Sequence, residues 1–171
     1  MGAMVNRGSG NAGHNAGHIE RADRGDLKQI LRLQKMAFRD VGVLHDDPRL
    51  PPLVQTYEGI VLDYEKKIIL KYTERGRILG SVRGYMDESK ACHIGRLMVH
   101  PDYQNRGIGT RLMEAIEGYF DHCSRYRIFT GNKSENSLHL YRKLDYGEVD
   151  RREAGTHYLV YMQKENRKTV D

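Results

Sequence analysis

Leu97-Met98-Val99-His100-Pro101-Asp102-Tyr103-Gln104-Asn105-Arg106-Gly107-Ile108-Gly109-Thr110 is the stretch on which the fold turns. An apolar run ends at a proline, a short polar loop follows, and two glycines separated by one residue open an amphipathic segment. Amide N–H groups in the first turn of a helix have no intrahelical partner and sit at the positive end of its dipole. Glycine there removes the Cβ atoms that would hold an oxygen at a distance, so the arrangement suits a phosphate. Arg106 and Arg111 add positive charge nearby. Two glycines alone fit equally well a tight turn in which they relieve backbone strain.

Working outward, the periodicities alternate. Ile108, Leu112, Met113, Ile116, Tyr119 and Phe120 recur at helical spacing, predicting a helix from about Gly107 to Cys123. Tyr126 to Thr130 reads as the next strand, which makes strand, helix and strand a βαβ unit. Upstream, Cys92 to His100 is apolar on both faces at its centre, as a central strand should be. Lys67 to Tyr72 and Arg77 to Met86 read as an antiparallel pair joined at Glu74-Arg75-Gly76. A first helix is expected from an Asp26 cap to about Arg39, an irregular loop over Asp40 to Pro52, and a second helix opened by Pro51 or Pro52. Downstream, a short helix over Asn136 to Leu144 and a closing strand around His157 to Gln163 complete a mixed α/β sandwich.

Composition sets the outer bounds. With 171 residues, 39% of them hydrophobic, the chain suffices for one core and hardly for two. Residues 18–165 are expected to form that domain, residues 1–17 a glycine- and asparagine-rich flexible tail or cloning remnant, and residues 166–171 a polar tail. His14 and His18 stand four apart, but glycine around them disfavours the helix a metal pair would need, and no metal site is expected. No apolar run approaches the roughly 18 residues a membrane-spanning helix requires. Only Cys92 and Cys123 are present and no secretory signal is visible, so a cytoplasmic setting is expected. The net charge of +5 comes from interspersed Lys, Arg, Asp and Glu and reads as a solvated surface. Nucleic-acid binding would rest on that charge alone, without the aromatic–basic interleaving that stacks bases. A homodimer stands only as the commonest assembly. Gly107-Ile-Gly-Thr-Arg-Leu lacks the third glycine of a dinucleotide fingerprint, and Gly131-Asn-Lys133-Ser134 lacks the earlier glycine of a P-loop.

Gln104-x-x-Gly107-x-Gly109, preceded by Leu97-Met98-Val99-His100-Pro101, resembles the acetyl-CoA signature of the GCN5-related N-acetyltransferases (GNAT). Thr130-Gly131-Asn132 to Ser134, then Asn136, Leu140, Tyr141, Leu144 and Tyr146, resembles that family's second block, and Ile19-Glu20-Arg21-Ala22 its opening strand. The resemblance spans roughly Ile19 to Lys164. It implies an α/β (α+β) fold with a mixed, mostly antiparallel central sheet flanked by helices, in which the strands Cys92–His100 and Tyr126–Thr130 run parallel and splay to form the acetyl-CoA cleft. By the same carry-over, main-chain groups of Leu97 and Val99 should hold the pantetheine arm like an added strand. Gln104, Arg106, Gly107, Gly109 and Thr110 should line the pyrophosphate. Asn136 should touch the pantetheine or acetyl end, and Tyr141 should act as the acid toward the departing sulfur.

The activity so implied is acetyl transfer from acetyl-CoA directly to a primary amine of an unidentified small-molecule, peptide or protein acceptor. The chain departs from the resemblance at Gly95, where many members carry a glutamate base in an Ile-Glu-x-Leu context. His93 is near in sequence, but alternation of strand side chains is expected to turn it away. Glu58 on the second helix or an ordered water chain could serve instead, and no base is assigned. A non-catalytic acyl-CoA-binding module is therefore the alternative. Asp46, Asp47, Glu58 and Asp63 could attract a cationic acceptor, or be solvated surface. Cys92 and Cys123 could support a covalent route, but their expected strand and core positions disfavour it.

Overall fold

The computed structural model describes residues 16–169. The tail expected over residues 1–17 lies outside the described residues except for Ala16 and Gly17, as does His14. Seven strands, β1 His18–Arg21, β2 Ile68–Glu74, β3 Arg77–Met86, β4 Ala91–Val99, β5 Arg125–Gly131, β6 Gly147–Ala154 and β7 His157–Glu165, form one sheet ordered β1-β2-β3-β4-β5-β7-β6. All neighbours are antiparallel except β4 and β5. These two pair from Ala91 with Arg125 to His93 with Arg127 and then separate. The expected mixed, mostly antiparallel sheet with one splayed parallel pair is thus what the chain forms.

Helices cover both faces. One face carries α4, Ile108–Tyr119, whose Ile108, Leu112, Met113 and Ile116 pack with Leu70, Val82, Ile94 and Ile128. Each of those side chains is buried, contributing about 1.5–3 kcal/mol relative to exposure. The other face carries α1, Leu27–Leu44, and α3, Tyr57–Lys66, where Leu27, Ile30, Leu33 and Ile60 meet Ile69, Ile78 and Met98. A single turn, α2 Pro51–Val54, stands between α1 and α3, and α5, Glu135–Lys143, follows β5.

Several boundaries differ from the sequence expectation, each for a local reason. Helix α1 runs on to Leu44, because Gly42 is a packing residue: a Cβ there would come within 2.7 Å of Leu53 Cδ1. Asp26 does not cap α1. Its carboxylate accepts from the Asp23 amide at 2.9 Å and pairs with Lys71 at 2.7 Å. The second expected helix is split, with the prolines opening only α2 and Thr56 Oγ1 capping α3 by accepting from the Gly59 amide at 3.1 Å. Helix α4 ends at Tyr119, so Cys123 is a buried core residue beyond it. Strand β6 was not foreseen, since Gly147 to Glu153 are all exposed and carry no apolar alternation. Asn166 is buried and its amide donates to the carbonyls of Asp121 and Cys123 at 2.7 and 2.8 Å.

Candidate functional site

The site is made by one extra residue in β4. Ser81 faces Met98 and Arg83 faces Gly95, so two steps on β3 span three on β4, and Arg96 takes up the difference at φ 51°. The bulge reverses the alternation. Cys92 and Ile94 point into the α4-side core, Leu97 and Val99 pack against that same core, and Met98 joins the α1-side core. It also coincides with the departure of β4 from β5, leaving the Gly95–Val99 edge without a strand beside it.

A cavity of about 1580 Å³ fills this opening. Leu97, Val99, Gln104, Gly107, Gly109, Thr110, Asn136 and Tyr141 all line it, whereas Arg106 does not and its guanidinium instead stacks on the Tyr103 ring at 4.9 Å. Gly107, at φ 79°, is the N-cap of α4, and the first intrahelical bond runs from Arg111 N to Gly107 O. The amides of Ile108, Gly109 and Thr110 therefore have no helical acceptor. A Cβ on Gly107 would meet nothing within 4 Å, and one on Gly109 only Leu140 and Val99 at ordinary contact distance. Unpaired amides, open space at Gly107 and a bare strand edge together fit an extended ligand with a phosphate at one end. Gln104 Nε2 lies 3.5 Å from Val99 O, on that edge.

Tyr141 is 4% exposed, and burial raises its hydroxyl above the usual phenol range, with a hydrogen bond from Ser137 working weakly the other way. It therefore keeps its proton at neutral pH. Cys92 and Cys123 are buried, and burial pushes both thiols up. Neither is a thiolate, which agrees with the expectation against a covalent route.

On the opposite face of the sheet from α4, the cavity meets a polar cluster. Gly80 and Gly84 abut α4, so Arg83 between them points toward α1 and α3. Arg83 is 1% exposed and donates to Gln34 Oε1 at 2.5 Å, to Gln55 Oε1 at 2.9 Å and to Asp63 Oδ2 at 2.9 Å. Burial lowers its guanidinium to about 10, against the pull of Asp63, so it stays charged at neutral pH. Burial alone would raise Asp63, but Gln55, Lys67 and Arg83 outweigh it and hold the carboxyl below its usual range.

The expected exclusion of His93 is corrected. His93 and Gly95 are two residues apart and so share a face, and both line the cavity. His93 Nε2 lies 2.7 Å from Asp87 Oδ2, and its ring stacks on Tyr85 at 4.9 Å. A Cβ on Gly95 would meet nothing within 4 Å. Glu58 is exposed and off the cavity, and Asp63 is committed to Arg83 and Lys67.

Sequence reading also missed His45 and His157, both buried and lining the cavity with ring centroids 4.8 Å apart. His45 Nδ1 donates to Val41 O at 2.9 Å while its Nε2 accepts from the Lys133 amide at 3.2 Å, and its carbonyl accepts from Thr156 Oγ1 at 2.7 Å. The end of α1, the turn after β5 and the β6–β7 turn thus meet at one residue. Burial, then the neighbouring His45, lowers the His157 imidazole below its ordinary value.

Comparison with known proteins agrees with this geometry. The sequence pattern of the acetyltransferase (GNAT) family matches residues 27–146. An acetyltransferase of Yersinia pestis (strain Pestoides F) is 30% identical over 93 residues, 52% of this chain and 64% of that one, so the match spans less than two thirds of the relative. The crystal structure of the ribosomal-protein-S18-alanine N-acetyltransferase from Escherichia coli superposes with a TM-score of 0.74 at 15% identity, over 88% of this chain and 94% of that chain. The structure of yncA, a putative acetyltransferase from Salmonella typhimurium with its cofactor acetyl-CoA, superposes with a TM-score of 0.72 at 15% identity, over 91% and 97%.

Proposed function

The chain belongs to the acetyltransferase (GNAT) family, and from that premise we propose that it transfers an acetyl group from acetyl-CoA directly to a primary amine. The observation that carries this reading is the bare Gly95–Val99 edge running into the unpaired amides of Ile108, Gly109 and Thr110. Main-chain groups of Leu97 and Val99 would hold the pantetheine arm, and Gln104, Gly107, Gly109 and Thr110 the pyrophosphate. Arg106, stacked on Tyr103, would act on the phosphates from outside the cavity. Asn136 would contact the pantetheine end.

Acetyl-CoA supplies an activated acetyl group whose C–S bond breaks as the C–N bond to the amine forms. Tyr141 keeps its proton at neutral pH and gives it to the sulfur. The amine must also lose a proton, because a lysine-like ammonium has a reference pKa near 10.4. On the Gly95 side of β4 the chain offers His93 as the base, its Nε2 held by Asp87 and its other ring nitrogen without a partner among the described residues. No cysteine takes part.

The test is binding and turnover together. Calorimetry should show acetyl-CoA bound by the wild type and lost in Gly107→Val, whose circular dichroism stays native. Tyr141→Phe should keep the affinity while thiol release with an amine panel falls by about 10- to 1000-fold. Unchanged affinity in Gly107→Val refutes the site. Tight binding without thiol release from any amine would instead identify a regulatory acyl-CoA-binding module, the reading that Gly95 keeps open.

A further inference from the structure

Three cations gather at the cavity wall formed by β3, β4 and α3, and one carboxylate answers them. Arg83, Arg96 and Lys67 all line the cavity, and Asp63 pairs with Arg83 at 2.9 Å and with Lys67 at 3.1 Å. Arg96 makes no ion pair or side-chain hydrogen bond among the described residues. The Nε atoms of both Arg83 and Arg96 are buried without a partner. A buried guanidinium donor left unpaired is costly and rare, and it marks a place where an acceptor atom belongs. Asp87, in the β3–β4 turn, is taken by His93 at 2.7 Å.

This charge cannot serve the phosphate end of the cofactor. The start of α4 lies on the other face of the sheet, whereas Arg83 is anchored by Gln34 of α1 and Asp63 of α3. Ile94 and Leu97 flank the bulge and both pack on the α4 side, so Gly95 and Arg96 between them take the other face. Gly95, where the departing β4 edge begins, sits between the two arginines in register: it faces Arg83 across the strands and precedes Arg96 along the chain.

We propose that Arg96, backed by Arg83, is the specificity determinant of the acceptor subsite, and that the acceptor is an amine which also carries a carboxylate. The proposal rests on the acetyl-transfer reading above and names its substrate class. Arginine presents a planar fork of donors that matches a carboxylate in two parallel bonds. Asp63, Gln34 and Gln55 hold the Arg83 head in place, so its charge needs no reorganisation when the anion arrives. The same positive field disfavours the ammonium form of the acceptor's amine and so eases the proton loss that attack requires. A purely cationic acceptor such as a polyamine would meet repulsion here.

The experiment offers acetyl-CoA and a panel of amines to the full chain, each presented as the free carboxylate and as its carboxamide, and reads thiol release. Free amino acids form one arm, and short peptides with an acidic side chain next to a free amine form another, which separates the two sources of this chemistry. At least one carboxylate should exceed its amide in kcat/KM by about tenfold or more. Arg96→Gln should erase that preference, mostly through KM, while acetyl-CoA affinity by calorimetry stays at the wild-type value. Arg83→Gln breaks the buried network with Gln34, Gln55 and Asp63 and threatens the fold, so Arg96→Gln is the deciding variant. Amides matching carboxylates, acetylation confined to polyamines, or no acetylation of any carboxylate-bearing amine by protein that binds acetyl-CoA overturns the inference alone. Failure to bind acetyl-CoA overturns the proposed function with it.

Discussion

At the scale of single residues, two aspartates stand where the backbone asks for glycine. Asp46 and Asp145 have φ of 49° and 72°, and each follows a helix. At the second, the Asp145 amide donates to Arg142 O and the Tyr146 amide to Tyr141 O, at 3.0 and 2.9 Å, the double bond of a Schellman ending. A left-handed backbone of this kind is one that glycine adopts without steric cost. Asp145→Gly should raise stability by about 0.5–1 kcal/mol in urea unfolding; a loss would show that the carboxylate has another partner. His93→Gln should lower kcat at least tenfold with acetyl-CoA affinity unchanged, if the ring takes the amine's proton. Its face is misread in the sequence when it is treated as an alternating neighbour of the Gly95 position, since a separation of two returns a strand side chain to the same face.

Among elements, legibility followed how much each one's own side chains reveal. Helix α4 and its glycines were readable because packing and backbone demand both lie within a dozen consecutive residues. The Gly95–Arg96 bulge was not, since an extra residue exists only relative to β3. Strand β6 escaped for a related reason: its order comes from main-chain pairing to β7, not from an apolar face. Arg83 carried a faint signal, a lone charge inside a strand whose neighbours from Ile78 to Gly84 are all buried. Thr56 is hard to read as a cap because Pro51 and Pro52 offer an earlier helix start. Its cap on α3 predicts that Thr56→Ala costs about 1 kcal/mol, read from the shift of the urea midpoint, and that Thr56→Ser costs less than half of that.

Across the whole molecule, charge burial sets a pH range for stability. His157 binds its proton less readily when folded, so the unfolded chain takes up more protons below about pH 6.5, the ordinary imidazole value. That contribution is complete above this pH and declines as pH falls. Asp63 and Asp26 are held below their usual range, so their contribution persists further and is lost only as pH drops through those lowered values, under the ordinary 3.8. Unfolding free energy should therefore fall in two stages on acidification, and His157→Gln should flatten the first. A flat profile between pH 7 and 5 in the wild type would contradict the buried-imidazole account. Among the described residues no helix is long and apolar enough to cross a membrane.

The junction at His45 has a mechanical corollary. An ideal Cβ on Gly131 would overlap the His45 imidazole, so the strand and the helix end touch there with no slack at all. One added methyl would act as a wedge, prising the rim of the cleft apart at the point where three separate stretches of chain are riveted together. Gly131→Ala should thus loosen acceptor selectivity and melt earlier while the phosphate end, anchored by a different helix, keeps its grip.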